Sequence, residues 1–407
     1  MPPKNWPKSF ARFDTAHKYL LSLDKNTDNK LQLTRIKAFL DFSGNPQNSF
    51  KTIHVAGTSG KGSTCVMLAS ILKAAGFKTG LALSPYLSNP LEKIQINNRL
   101  ISEKEFLKLV NKYRDLILQY KLTYFEAFIA LTFIYFKNKK VDYAVMETGL
   151  GGRLDATNVI DNPELSIVTF IGLDHEDQLG STKEKIAKEK AAIIKDGKKA
   201  ITGSRLIHQA RFIDTTNYIL QTSNFQFSIF NYSALKNIKL SLPGEYQIPN
   251  SILAIEAAKF LRINNKYIYQ GLKEAKFFGR FSVIKKNPLI IADGAHNPDK
   301  MQAFVSSLKK AVNLKKYNRK YLLMAIKFDK DYKKMLKIIN PYFDEAIITT
   351  FPLSLDPKLI KKQIKSKTAV IIKDPKKAYA HILKKIKKDD LLLITGSLYM
   401  IGDIFGV

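Results

Sequence analysis

The stretch HVAGTSGKGS, which occupies His54–Ser63, decides the fold. The preceding run, Phe50–Ala56, is short, apolar and β-branched, and it predicts a buried strand. The following run, Thr64–Ala75, has helical spacing and ends at Gly76, and it predicts a helix. A strand, a glycine-rich turn and a helix N-terminus together form a cradle for phosphate, because the N–H groups of the turn and the helix dipole both face the anion.

Three glycines in this stretch let the backbone approach a ligand where a Cβ would clash. They are Gly57, Gly60 and Gly62. Lys61 supplies a charge for the outer phosphates, and Ser63 supplies a hydroxyl near Mg²⁺. The spacing departs from the common pattern G-x-x-x-x-G-K-[ST], because Val55 stands at the position of its first glycine. A turn that only joins a strand to a helix is the alternative, but a lysine among three glycines favours a phosphate loop.

The composition is that of a globular protein, with 407 residues of which 45% are hydrophobic. This length predicts two domains. A single cysteine, Cys65, excludes an internal disulfide framework and suits a reducing compartment. The N-terminus lacks the apolar core of a signal peptide, and the longest apolar stretch, Phe125–Phe136, is too short to span a bilayer. We therefore expect a cytoplasmic protein without a membrane partner.

The formal net charge of +31 is compatible with binding to nucleic acid or to a membrane surface. However, the lysines are spread over the whole chain and are densest on predicted helices. The sequence also lacks the interleaving of aromatic and basic residues that stacks bases. We therefore expect lysine-rich solvated faces and no nucleic-acid partner.

Polar side chains follow three further predicted strands, at the edge where parallel sheets bind their ligands. The pairs are Lys78–Leu83 with Ser84, Val141–Met146 with Glu147, and Leu165–Ile171 with His175. Glu147 is well placed for Mg²⁺, and His175 could ligate a metal. A simple Ser-Pro turn is the alternative for Ser84, and a structural role is the alternative for His175.

Two loops near these strands carry further candidates. The loop after Glu147 contains three glycines, Arg153 and Asp155, a poor composition for a plain connection, and the two charged residues are placed for a polar substrate. A helix is predicted to begin at Tyr124, where Thr123 and Glu126 fit a capping box. That structural explanation competes evenly with a ligand role for Glu126.

An inward-facing lysine is predicted on helix Thr182–Lys195, which Ser181 and Glu184 would cap. At 100° per residue, Lys190 falls in the middle of the apolar face, one turn from Ile186. Snorkelling of the ammonium is one explanation. Chemical modification or contact with phosphate is the other.

After Lys285–Pro288 strands and helices alternate, which predicts a second, parallel, doubly wound sheet. Its strands are predicted at Leu289–Ala292, Tyr321–Ile326, Ala346–Phe351, Ala369–Ile372 and Leu391–Thr395. Asp293 follows the first strand, a position that commonly holds a ribose or a metal-bound phosphate. The sequence thus predicts an α/β protein: an N-terminal P-loop ATPase domain with a parallel central sheet (residues 1–285) and a smaller, Rossmann-like α/β domain (residues 286–407).

Five motifs follow one another from the phosphate loop to the C-terminus. They are HVAGTSGKGS, ETGLGGRLDATN, LDHEDQLGSTKEKIAKEKA, DGAHNP and TGSLY. In this order they resemble folylpolyglutamate synthase and dihydrofolate synthase, members of the Mur ligase superfamily. The resemblance implies a monomeric ATP-dependent ligase that adds L-glutamate to reduced folates, and also to dihydropteroate, through an acyl phosphate. It places ATP and folate in the first domain and the glutamate-ligase function in the second.

The resemblance also implies roles for individual residues. ATP is held by Thr58, Ser59, Gly60, Lys61, Gly62 and Ser63, and by Asn250, Arg280 and Asp293. Two Mg²⁺ ions are held by Ser84, Glu147, His175 and a carbamylated Lys190. The substrates contact Thr123, Tyr124, Phe125, Glu126, Arg153, Leu154, Asp155, Ala156 and His296. The implied catalytic residues are Lys61, His175 and Lys190.

The sequence departs from the family pattern at several positions. They include Ser59, Tyr86, Lys93, Ala192 and Tyr246, where Asn, His, Arg, Gly and His are usual. None of these changes removes an implied metal or phosphate ligand. We expect Tyr86 and Lys93 to alter how the pterin or the glutamate chain is held.

Two other classes of protein fit part of the sequence. A peptidoglycan-type Mur ligase shares the chemistry but carries a nucleotide-sugar-binding domain ahead of the phosphate loop, and about fifty residues are too few for one. A nucleic-acid-binding ATPase would fit the charge, but it should show a localised basic stripe or a recognition motif.

Overall fold

Three β-sheets organise the part of the chain that the structure describes. The structure is a computed structural model, and it describes residues 6–7, 9–26, 32–364 and 368–406. The sheets contain eight, three and six strands. None of the helices in these residues has the length and apolar character that crossing a membrane requires.

The eight-stranded sheet is built from the first half of the chain. Its strands are β1 (Lys51–Ala56), β2 (Thr79–Ala82), β3 (Ile94–Ile96), β4 (Arg99–Leu100), β5 (Tyr143–Glu147), β6 (Leu165–Val168), β7 (Ala200–Thr202) and β8 (Arg211–Phe212), in the spatial order β4-β3-β2-β5-β1-β6-β7-β8. The strands from β2 to β8 in this order run parallel, whereas β3 and β4 pair antiparallel at one edge. The carboxyl ends of β2, β5, β1 and β6 therefore lie side by side, where ligands bind in parallel sheets.

The α-helices that precede the six-stranded sheet in the chain include one that is apolar on almost every side. They are α1 (Phe13–Ser22), α2 (Thr34–Phe42), α3 (Lys61–Ala74), α4 (Glu103–Gln119), α5 (Tyr124–Asn138), α6 (Glu176–Leu179), α7 (Lys183–Ala191), α8 (Gln247–Phe260) and α9 (Asn265–Glu274). The long apolar stretch predicted not to cross a membrane lies in α5, where Phe128, Phe133 and Phe136 are fully buried. These rings form one core with residues of α1, α2 and α4, which explains why a helix of this composition is stable in the interior.

A three-stranded antiparallel sheet follows, in a region whose sequence pattern is too mixed to predict an element. Its strands are β9 (Ile219–Ser223), β10 (Ser228–Tyr232) and β11 (Leu235–Leu240), in the order β11-β10-β9. The strands of this sheet are largely exposed on one side, so they lack the continuous apolar runs that mark the parallel strands.

The six-stranded sheet confirms the five predicted parallel strands. It contains β12 (Ser282–Lys285), β13 (Leu289–Asp293), β14 (Lys320–Met324), β15 (Glu345–Ile348), β16 (Thr368–Ile371) and β17 (Leu391–Thr395), in the order β12-β13-β17-β14-β15-β16. Its helices are α10 (Pro298–Ala311), α11 (Tyr332–Ile339), α12 (Pro357–Gln363), α13 (Pro375–Leu383) and α14 (Leu398–Phe405). The sequence missed β12, a short edge strand that pairs antiparallel with β13. The predicted fold class, a P-loop domain with a parallel central sheet and a smaller Rossmann-like α/β domain, is confirmed.

The chain divides into two units. The first runs to Tyr86 and adds Leu91–Asp214 and Leu253–Gly271; the second takes Leu87–Pro90, Thr215–Ile252 and the chain from Leu272 onward. The second unit thus collects segments from three parts of the sequence. The domain division after residue 285 stays a prediction.

Candidate active site in the first unit

The loop between β1 and α3 is fastened to the residues that follow β6. Thr58 donates from its backbone N to Phe170 O at 2.7 Å, and its hydroxyl donates to the carbonyl of Gly172 at 3.1 Å. The hydroxyl of Thr169 donates to Ser59 O at 2.7 Å. These bonds fasten the loop to the segment that follows β6.

Gly57 is required for this close approach. It has φ 146°, and a Cβ there would lie 1.9 Å from Thr169 Oγ1. A side chain would therefore push the loop away from the end of β6.

The N-terminus of α3 fits an anion. Gly60 is its N-cap, at φ 88°, and the first N–H groups of the helix receive no side-chain cap from the described residues. Lys61 begins the helix, and its Nζ donates to Gly57 O at 2.9 Å. Gly62 follows, and Ser63 is buried in the first turn. Uncapped N–H groups, the helix dipole and a lysine at one point make a cradle that suits nucleotide phosphates.

Two predicted metal ligands lie together beside this cradle. Glu147 ends β5 and is 6% exposed, and Ser84 follows β2, the neighbour of β5. The backbone N of Ser84 donates to Glu147 Oε2 at 2.9 Å. The carboxylate is therefore aimed across the carboxyl edge of the sheet rather than into solvent.

His175 lies after β6 as the N-cap residue of α6, at φ 53°. Its imidazole is 39% exposed, with Nε2 4.0 Å from Asp174 Oδ1. Among the described residues, no group of three or more His, Cys, Asp and Glu side chains is arranged to hold a metal ion. Glu147 and Ser84 nevertheless offer oxygen donors next to a phosphate cradle, and Mg²⁺ is usually bound by one or two carboxylates together with phosphates and water.

Lys190 is buried, as its place on the apolar face of the helix predicts. It lies in the last turn of α7 and is 4% exposed. The predicted helix bounds and cap are wrong in detail. Thr182, not Ser181, is the N-cap, because its hydroxyl accepts from Lys185 N, and the helix ends at Ala191.

The glycine-rich loop after β5 lies directly against the end of α7. Arg153 N donates to Glu189 O at 2.9 Å, and Arg153 Nε donates to Glu189 Oε1 at 2.9 Å. A Cβ on Gly152 would lie 2.5 Å from Glu189 O and 3.0 Å from Lys190 Cα. The loop and the segment that carries Lys190 are thus fixed to each other.

Asp155 organises the same loop. Its carboxylate is buried and accepts from Leu150 N at 2.8 Å and from the N and Oγ1 of Thr157 at 3.0 and 2.5 Å. Burial raises its pKa above the usual range despite these donors. Leu154 and Ala156 flank it in the chain, and the predicted contact of this segment with substrate stays a prediction.

Sequence reasoning missed His54, which supports the loop from β1. Its Nε2 lies 2.8 Å from Thr157 Oγ1. Because the single hydroxyl hydrogen of Thr157 is donated to Asp155, the imidazole must be the donor to Thr157. Complete burial lowers the pKa of His54 to about 3, so the ring is neutral.

The predicted capping box at the start of α5 is confirmed. Thr123 Oγ1 accepts from Glu126 N, and Glu126 Oε2 accepts from Thr123 N at 2.8 Å. Sequence reasoning missed the second partner of this carboxylate. Arg35 of α2 donates to both of its oxygens, at 3.3 and 3.1 Å, and the two side chains are 11% and 5% exposed. These bonds favour the structural explanation of Glu126.

Tyr124 and Phe125, the next two predicted substrate residues, are half-buried. The hydroxyl of Tyr124 lies 3.1 Å from His17 Nε2 of α1. Phe125 packs on the glycine-rich loop, since a Cβ on Gly149 would lie 2.5 Å from its ring. The α5 start and the loop after β5 are therefore neighbours.

Candidate residues in the second unit

Asp293 ends β13 and is held by three donors within its unit. Its Oδ2 accepts from Tyr246 Oη at 2.6 Å and from Phe281 N at 2.8 Å, and its Oδ1 accepts from Ala295 N at 2.8 Å. Burial raises the pKa of Asp293 above its usual range, while Tyr246 and Arg280 act in the opposite direction. Tyr246 therefore fixes the orientation of this carboxylate.

The remaining candidates are also held in place. Asn250 is buried in α8, and its Nδ2 donates to Gln247 Oε1 at 2.9 Å. His296 has Nδ1 2.8 Å from Gly294 O and accepts at Nε2 from Lys300 Nζ at 2.9 Å. These bonds specify the neutral Nδ1-protonated tautomer of His296.

Comparison with known proteins

Two family models match separate parts of the chain. A model of the Mur ligase middle domain matches residues 55–205, and a model of the Mur ligase glutamate ligase domain matches residues 279–398. Together with the phosphate loop and the two parallel sheets, these matches define the class: an ATP-dependent ligase of the Mur type.

Individual relatives narrow the assignment. The chain is 32% identical to dihydrofolate synthase/folylpolyglutamate synthase of Bacillus subtilis, over 91% of this chain and 94% of the relative. A structure of E. coli FolC in complex with DHPP and ADP is 26% identical with a TM-score of 0.88, covering 98% of both chains. A crystal structure of a bifunctional folylpolyglutamate synthase/dihydrofolate synthase with Mn, AMPPNP and L-glutamate bound is 26% identical with a TM-score of 0.84, covering 99% of both chains. The chain belongs to the folylpolyglutamate synthase and dihydrofolate synthase family.

Proposed function

We propose that this ligase uses ATP and a divalent cation to add L-glutamate to reduced folates and to dihydropteroate. The observation that carries the proposal is the uncapped phosphate cradle at the start of α3, with the Ser84–Glu147 pair at the neighbouring strand ends. The ligands of the related structures, ADP, DHPP, AMPPNP, Mn and L-glutamate, support the choice of substrates.

The proposed reaction has two steps. An oxygen of the folate carboxylate attacks the γ-phosphorus of ATP, and ADP leaves. The amine of L-glutamate then attacks the acyl carbon, and phosphate leaves as the amide forms and the amine loses its proton. A Mg²⁺ ion would neutralise phosphate charge in this process. The enzyme's own groups position the reactants and neutralise phosphate charge. Lys61 and the N–H groups of α3 face the phosphates, and Glu147 is held by Ser84 to bind a cation.

The test is a ligation assay with radiolabelled L-glutamate, ATP and Mg²⁺, run in parallel with dihydropteroate and with tetrahydrofolate. We expect one labelled glutamyl product and one ADP for each substrate turnover. Formation of labelled product from neither substrate would contradict the proposal, and product from tetrahydrofolate alone would restrict it to folylpolyglutamate synthesis. A monomeric state and the lack of a nucleic-acid partner stay predictions.

We further infer that Lys190 is carbamylated and helps to hold a second Mg²⁺ ion with His175 and Glu147. Lys190 is 4% exposed, so its side chain lies in the interior beside the loop after Glu147, and a lysine amine in its neutral form can add CO₂. The product is a carbamate anion that offers two oxygens to a metal. Support comes also from Gly152, which brings the loop after Glu147 into contact with the backbone of Lys190.

Lys190→Ala should be inactive and should regain part of its activity in acetate, because a free carboxylate can replace the carbamate. The matched control is Lys188→Ala, which removes an exposed lysine from the same helix and should keep full activity without acetate. An active Lys190→Ala enzyme, or one that acetate and other small carboxylates do not rescue, would count against the carbamate.

A further inference from the structure

The ammonium of Lys93 lies in a box of aromatic rings. Lys93 follows β2 in the chain at the end of a short 3₁₀ turn, and it is 7% exposed. Its Nζ lies over four rings, at 4.4 Å from the centroid of Tyr124, 4.6 Å from Phe128, 5.3 Å from Tyr86 and 5.8 Å from Phe125. The negative faces of these rings attract the cation.

The rings attract the cation, but no carboxylate among the described residues forms an ion pair with it; Asp24 acts on it only through its charge. Among the described residues, Nζ forms no hydrogen bond or ion pair, and its contacts are with the rings. A buried cation without hydrogen-bonded partners is costly, and an anion that enters the box removes that cost.

The groups that face the box are few. His17 of α1 lies beside Tyr86, Tyr124 and Phe128, and burial together with Lys93 lowers its pKa to about 4, so it is neutral. Asp24, which accepts from Tyr124 N at 2.8 Å, raises the pKa of Lys93, but burial outweighs it and the pKa falls to about 8. The cation is thus retained at neutral pH and lost in mildly alkaline solution.

The box lies at the sheet edge that carries the candidate active site. Tyr86, Tyr124 and Phe125 are only half-buried, so they form its rim. The carbonyl of Lys93 accepts from Leu83 N at 3.2 Å, and Leu83 directly precedes Ser84. Lys93 therefore lies at the same edge of the sheet as the Ser84–Glu147 pair.

We propose that Lys93 is a specificity-determining residue that binds a carboxylate of the glutamyl chain on the folate substrate. The bound group is the carboxylate of the glutamyl chain that does not take part in the ligation. Tetrahydrofolate has such a carboxylate, and dihydropteroate lacks one. This inference rests on the proposed function. It assigns to Lys93 the discrimination between substrates that carry a glutamate and substrates that do not.

The test measures binding of folate and of pteroate, which differ by one glutamate, to the wild type and to Lys93→Met in the presence of a non-hydrolysable ATP analogue. Lys93→Met keeps the apolar stem and removes the charge. We expect folate to bind at least tenfold more weakly and pteroate to change less than twofold. Lys93→Arg should restore folate binding, and Lys73→Met, which removes an exposed lysine from α3, should match the wild type.

The pH profile gives a second readout. Affinity of the wild type for folate should fall roughly fivefold from pH 8 to pH 9, because Lys93 loses its proton, whereas Lys93→Arg should show no such fall. Equal weakening of folate and pteroate, or a flat wild-type profile, would overturn the assignment. A wild-type enzyme that binds neither ligand and ligates no glutamate would instead contradict the proposed function.

Discussion

Gly152→Ala should separate the geometry of the active site from the stability of the fold. The added Cβ would meet Glu189 O at 2.5 Å, Lys190 Cα at 3.0 Å and Lys190 O at 3.1 Å. All three are backbone atoms, which cannot rotate away as a side chain can. Ordinary contact requires that the loop or the end of α7 moves by about 1 Å.

That displacement sets the expected magnitudes. Forcing extra volume into a packed contact costs about 1–3 kcal/mol of unfolding free energy. A misplacement of about 1 Å costs on the order of 10²-fold in rate when the moved groups position the reactants. We therefore expect urea denaturation to show a moderate loss of stability, and steady-state kinetics to show a loss of kcat far larger than unfolding explains.

Gly76→Ala is the matched control. Gly76 has φ 91° with nothing within 4 Å of the added Cβ, so alanine there brings backbone strain of about 1 kcal/mol or more without a clash. It should lose stability and keep its kcat. A Gly152→Ala enzyme with near-normal kcat, or a Gly76→Ala enzyme that loses as much kcat, would refute the reasoning.

Two further predictions concern β1 and α3. Lys61→Ala should lower kcat more than 100-fold, since one lost contact to transition-state charge is worth about 3 kcal/mol, while its unfolding midpoint should stay near that of the wild type. The control Lys73→Ala, at the exposed end of the same helix, should keep its kcat. A Lys61→Ala enzyme with near-normal kcat would show that the loop takes no part in the mechanism. His54 has a folded-state pKa of about 3, below its ordinary 6.5, so the unfolded chain binds a proton that the folded chain excludes. The stability that neutral His54 contributes is complete above pH 6.5 and is lost as the pH falls toward 3, by up to about 1.4 kcal/mol of unfolding free energy per pH unit. The unfolding free energies of the wild type and His54→Asn, measured by urea titration, should therefore diverge with pH. If the two free energies change in parallel with pH, His54 does not titrate in this way.

Local patterns were sufficient for much of the fold and the candidate site. The phosphate loop is readable because glycines, a lysine and a helix start occur within ten residues. The cap at Thr123 and the burial of Lys190 each follow from spacings of three or four residues within a single helix, α5 for the first and α7 for the second. The cap of α7 was misplaced by one residue because Ser181 and Thr182 both satisfy the same short-range rule.

Contacts between distant residues were not predictable in this way. Arg35 and Glu126 are 91 residues apart, and His54 and Thr157 are 103 apart. A single sequence contains no periodicity that pairs such positions, because the pairing depends on which strands and helices become neighbours. For the same reason the sequence left the role of Glu126 open, whereas the contact with Arg35 favours the structural role.

The helix behind the phosphate loop depends on a part of the chain that is synthesised much later. Ser70 Oγ of α3 donates to Gly271 O at 2.8 Å, across 201 residues, and a Cβ on Gly271 would lie 2.4 Å from Ile71 Cα. At about 5–20 residues per second on the ribosome, this face of α3 waits roughly 10–40 s for its partner. During each round of translation the nascent chain therefore presents α3 without the segment around Gly271, with an apolar helix face exposed. We expect chaperones to bind the nascent chain mainly in this interval.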